Sequence, residues 1–136
     1  MRKITKIIVH CTATPEGRNA TVADVNKWHK ERGFDMIGYH YLIDLQGNIL
    51  RGREDEQVGA HTIGSNFDSI GVAYVGGMDK EMKKAKDTRT TEQKNSLLLL
   101  IKELKQKYPI AQIYGHRNFA KKDCPSFDAK KEYKDL

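Results

Sequence analysis

A single α/β domain with a central mixed β-sheet flanked by helices is the fold this sequence predicts, spanning residues 1–136. Short β-branched or aromatic runs alternate with amphipathic helical segments, which is the pattern of helices packed on a sheet. One pair of runs flanks a tight-turn dipeptide, so an antiparallel hairpin joins strands that otherwise connect through helices. No internal repeat interrupts this order.

Thr5 to Thr12 reads as a buried strand, because Ile7, Ile8 and Val9 form a β-branched run ending in polar residues, with His10 at its C-terminal end. Thr21 and Asp24 resemble a capping box, and Val22, Val25 and Trp28 keep helical spacing up to Gly33, which predicts a helix over about 21–32. The runs 39–44 and 48–51 flank Gln46-Gly47 and predict a β-hairpin. Ser69 to Val75, stopped by Gly76-Gly77, is a strand expected at the centre of the sheet. Met78 to Arg89 is Lys-rich and lacks an apolar period, so it reads as a solvated loop. Thr90 or Thr91 then caps a helix whose Leu97, Leu100, Ile101, Leu104 and Tyr108 share one face, ended by Pro109. Gln112 to Tyr114 is a short strand leading into Gly115-His116, and Asp128 caps a short C-terminal helix.

Composition narrows the function classes. With 38% hydrophobic residues, the chain supports a core without disulfide staples. Its longest apolar run, Leu97 to Ile101, is followed at once by Lys102 and Glu103, which excludes a membrane-spanning helix. The first ten residues lack the apolar region and cleavage site of a secretory signal, so synthesis and folding in the cytoplasm are expected. Cys11 and Cys124 are then expected as two thiols rather than a disulfide. The net charge of +6 fits either a stripe that attracts an anionic polymer or a lysine-rich solvated surface, and the second is favoured for Lys83, Lys84 and Lys86. Acids lie between the bases and no nucleic-acid-binding motif occurs, which argues against a nucleic-acid partner. Nothing suggests an obligate interface, so a monomer is expected.

Five histidines occur, at 10, 29, 40, 61 and 116, and His116 precedes Cys124 by eight positions. Structural zinc sites draw on close Cys/His pairs and close with four protein ligands, which this spacing does not provide. His10, His116 and Cys124 as three ligands with an open fourth position would make a catalytic metal site. Spacing alone favours the plainer reading of two ordinary strand-end histidines and a buried cysteine.

Five ordered motifs decide between these readings: Ile8 to Thr14, Trp28 to Gly33, Gly38 to Tyr41, Ser69 to Val72 and Lys122 to Asp128. Together they resemble the zinc-dependent N-acetylmuramoyl-L-alanine amidases, the family of phage amidase lysozymes and peptidoglycan recognition proteins. The likeness runs from about Lys6 to Asp128. It implies zinc bound by His10, His116 and Cys124, Tyr39 beside the water at the metal, and Lys122 at the scissile carbonyl. It also implies that His61 and Asn66 line the substrate groove. His29 is expected to be structural, while His40 and Cys11 are expected to point away from the site by strand alternation.

The implied reaction is hydrolysis of the amide between N-acetylmuramic acid and L-alanine in peptidoglycan or its muropeptides. An unperturbed phenol has a pKa near 10, so Tyr39 acts as a base only with help from zinc or Lys122. Relatives that lose the cysteine lose the metal and only bind peptidoglycan, so Cys124 favours the enzyme over a non-catalytic binding module. The expected setting is a phage or prophage lysin that reaches the cell wall after release, or a recycling enzyme.

Overall fold

In the structure, a computed structural model that describes residues 2–136, the β-branched run near the N-terminus forms β1 (Lys6–Cys11). It lies between two parallel neighbours, β5 (Ser69–Tyr74) and β7 (Gln112–Gly115). The sheet is completed by β3 (Tyr41–Ile43), parallel to β5, and β4 (Ile49–Arg51), antiparallel to β3. The order β4-β3-β5-β1-β7 places β5 at the centre, as its uninterrupted apolar run predicts. The β3–β4 turn is closed by the Asp44 carboxylate, which accepts the Gln46 and Asn48 amides, and by Gly47 at φ +84°.

Two helices close opposite faces. α1 (Val22–Glu31) and α2 (Thr91–Lys107) each begin with a reciprocal capping box, Thr21 with Asp24 and Thr90 with Gln93. Leu97, Leu100, Ile101 and Leu104 of α2 pack with Ile7, Val9, Ile43, Ile70 and Val72 of the sheet. On the other face Val25 of α1 joins Ile37, Leu42, Ala73 and Val75. Gln93 is fully buried at the head of α2, and its amide donates to the Val75 carbonyl at 2.9 Å. α3 (Ala129–Glu132) is capped by Asp128, whose carboxylate accepts the Lys131 amide.

The segment 78–89 corrects the expectation of a solvated loop throughout. Residues 80–87 are exposed, but its ends are built in. β2 (Thr14–Pro15) pairs with β6 (Gly77–Met78) in a small second sheet. Arg89 is buried, forks onto Asp87 and Glu132, and stacks 3.4 Å from the centroid of the Phe127 ring. Its partner Glu132 lies 43 residues away, so no local period reveals the pairing.

Candidate active site

β1 and β7 run parallel with Val9 opposite Gly115, so His10 and His116 emerge side by side at the carboxyl ends of neighbouring strands. That end of an open α/β sheet is where loops leave a crevice. Their rings stand 4.6 Å apart between centroids. Cys124 arrives from the loop that follows. The Arg117 amide donates to the Cys124 carbonyl at 2.8 Å, which ties this loop to the turn that begins at His116. The loop is anchored further by the Tyr74 hydroxyl donating to the Pro125 carbonyl and by the Ser126 hydroxyl donating to the Gly77 carbonyl.

The result is a group of three donor atoms, one each from His10, His116 and Cys124, all within 4.8 Å of one another. Such a set can hold a metal ion. Burial pulls His10 well below the usual imidazole range, with His61, His116 and Lys122 adding to the effect, and burial also lowers His116. Both rings are therefore neutral at pH 7, the form that ligates. The hydrogen bond to the Cys11 thiol and burial push the Cys124 thiol up, so a metal bound there must displace its proton. The Cys11 amide already points at the Cys124 sulfur, 3.2 Å away. Cys11 itself is buried on the α2 side of the sheet, as alternation predicts.

The three donors sit in the wall of a cavity of about 490 Å³. Tyr39, His61, Asn66 and Lys122 line the same cavity, so every residue anticipated for the site converges on it. Burial raises the Tyr39 phenol far above its ordinary value, with Cys124 and Cys11 adding to this. Burial thus favours the protonated phenol. Its ring lies 5.2 Å from that of His10. Lys122 is exposed at the rim.

His61 lines the cavity and also pairs within the protein, its Nδ1 2.8 Å from His10 Nε2 and its Nε2 3.2 Å from the Ser69 hydroxyl. Asn66 turns its carbonyl oxygen inward to accept the His61 and Thr62 amides at 2.9 and 2.8 Å. His29 is structural, as expected, with its Nδ1 accepting the Gly38 amide at 2.8 Å, though it also borders the cavity. His40 lies outside the cavity lining, its Nδ1 accepting the Gly71 amide and its Nε2 donating to the Gln57 carbonyl.

Sequence reasoning missed Arg32, Phe34, Thr62 and Phe119 in the lining, and Ser69 behind it. Among the described residues that line the cavity none is acidic, while Arg32 and Lys122 are cationic.

Comparison with known proteins bears on this geometry. The profile of the family described as N-acetylmuramoyl-L-alanine amidase matches residues 1–127. The chain is 42% identical over 125 residues to the endolysin of Escherichia phage T7, covering 92% of this chain and 82% of that protein. It is 38% identical over 130 residues to the endolysin of Klebsiella phage KP32, covering 96% and 85%. Among solved structures it resembles the N-acetylmuramoyl-L-alanine amidase LysC of Clostridium intestinale, with a TM-score of 0.80 and 30% identity over 96% of this chain and 82% of that one. A bumblebee PGRP-SA structure aligns over all of this chain and 83% of its own, with a TM-score of 0.80 and 27% identity.

Proposed function

The chain belongs to the N-acetylmuramoyl-L-alanine amidase family and hydrolyses peptidoglycan amide bonds, and from that premise we propose that it works with zinc held by His10, His116 and Cys124. The single observation that carries this reading is the group of two neutral imidazoles and one thiol within 4.8 Å, set in the cavity wall. The donor set fits the metal. Two nitrogens and one sulfur are ligand types zinc takes at tetrahedral sites, and three protein ligands leave one position for catalysis. When bound there, zinc supplies a Lewis acid and lowers the pKa of a coordinated water to about 7.

The remaining work falls to side chains around the cavity. The Lys122 ammonium, in the cavity lining, stabilises the oxyanion that develops at the scissile carbonyl, a charge the ground state lacks. Tyr39 keeps its proton and orients by donating it, because burial holds the phenol far above neutral pH. Arg32 and Lys122, with no acid in the lining, give the groove a positive potential that suits the carboxylates of a stem peptide. The bond cut is the amide between the lactyl group of N-acetylmuramic acid and L-alanine.

Among the described residues no helix is long and apolar enough to cross a membrane, and the likeness to phage endolysins supports a lysin that meets the wall after release. The test is digestion of purified peptidoglycan, scoring new L-alanine amino groups against new reducing sugar ends, with chelator and zinc add-back. Zinc-restored amine release without reducing ends is expected. Wall binding without release by zinc-loaded protein would favour a recognition module instead.

A further inference from the structure

We infer that His61 is a positioning residue for the metal centre, accepting the Nε2–H of His10 at its own Nδ1 and so presenting His10 Nδ1 as the ligand atom. The inference rests on the zinc reading above and adds a residue to it.

The geometry carries it in three steps. First, His10 Nε2 and His61 Nδ1 face each other at 2.8 Å, and both rings are buried, with exposures of 1% and 9%. Of two neutral imidazoles meeting nitrogen to nitrogen, one donates and the other accepts. Second, the other nitrogen of His10, Nδ1, looks toward the Cys124 sulfur at 3.8 Å. A metal in that group needs the lone pair of Nδ1, which puts the His10 proton on Nε2 and makes His61 Nδ1 the acceptor. The His61 proton then sits on Nε2, where the Ser69 hydroxyl lies 3.2 Å away to receive it. Third, the His61 ring has a built seat. A Cβ on Gly59 or on Gly71 would lie 2.6 Å from His61 Cδ2, so the ring occupies space that only glycine leaves open on both sides. The Asn66 carbonyl oxygen fixes the backbone below it through the His61 and Thr62 amides.

With both ring nitrogens engaged by the protein, His61 offers no free polar atom to a substrate. Its contribution is to hold the His10 ring and tautomer, the service that a hydrogen-bonded partner renders to a ligating histidine. Loss of such a partner typically costs about 10–100-fold in metal affinity.

The experiment measures zinc affinity by chelator competition on wild type, His61→Ala, His61→Asn and His61→Gln, with His116→Ala as the reference for a lost ligand. The visible spectrum of the cobalt-substituted proteins reports the geometry. Each zinc-saturated variant is also assayed for KM on muropeptides. We expect His61→Ala to bind zinc about 10–100-fold more weakly with an altered cobalt spectrum and an unchanged KM. His61→Asn, whose amide oxygen falls near the Nδ1 position, should bind zinc more tightly than His61→Gln. Should His61→Ala not fold, the Asn–Gln pair alone decides, and equal affinities in that pair overturn the inference. Unchanged zinc affinity with a raised KM would overturn it in favour of a groove residue. Wild type that binds no zinc, or binding that survives His116→Ala, would defeat the metal reading itself and the inference with it.

Discussion

The two faces of β1 solve opposite problems with alternate residues of one strand. Ile7, Val9 and Cys11 turn toward α2 into hydrocarbon, while His10 turns into a face where nitrogens, hydroxyls and amides pair with one another. The first face is held by area and packing, and its worth is lost in proportion to volume removed. The second is held by satisfied polar groups, and removing one member leaves a buried partner without a bond. The comparison teaches that the rigid apolar side is the platform and that the polar side is where a single-atom change alters chemistry.

The sharpest break between the faces comes from a ligand. His116→Ala is expected to abolish zinc retention and wall lysis, read by metal analysis and turbidity loss. Because zinc binds only the folded site, chelation of wild type should lower its melting temperature, and the variant should show no such drop. Next in size, Lys122→Ala should keep zinc yet lose about 10²–10³ in kcat, measured on muropeptides. A fully active variant would remove Lys122 from the mechanism.

On the apolar face, Ile101→Ala should cost about 2–5 kcal/mol in urea unfolding while the folded fraction keeps its zinc affinity. A loss of zinc affinity there would erase the distinction between the two faces.

The polar face also predicts a pH dependence. Burial pulls His29 and His40 down to about 4, so below the unfolded value near 6.5 the unfolded chain binds more protons than the native one. Stability should therefore fall as the pH drops from about 6.5 toward 4. His29→Gln should flatten that slope by at most about 1.4 kcal/mol per pH unit, and an unchanged slope would place His29 outside the effect. The smallest change expected is Thr90→Ala, which removes the cap of α2 for about 1 kcal/mol and should leave lysis untouched.

Much of this was legible in the sequence where the signal is local. The period of Leu97 to Leu104, the capping pairs at Thr21 and Thr90, and the Gln46-Gly47 turn each fix an element within a few residues. The grouping of His10, His116 and Cys124 followed from motif order, and the parallel pairing of β1 with β7 supplies its physical cause. What stayed hidden depends on partners distant in sequence. Arg89 looks like one more loop cation until Glu132 arrives from α3, and His61 looks like a groove residue until His10 meets it across 51 positions.

Cys11 is the nearest further thiol to the proposed metal site, its backbone amide 3.2 Å from the Cys124 sulfur, so whether that thiol joins the zinc decides whether one position is left open for chemistry. X-ray absorption on the zinc-loaded protein measures this directly. The account predicts one zinc per chain with one sulfur at about 2.3 Å, two nitrogens at about 2.0–2.1 Å and one oxygen from water. Two sulfurs and two nitrogens would mean that Cys11 closes the site, making the zinc structural and contradicting the amidase mechanism assigned to it.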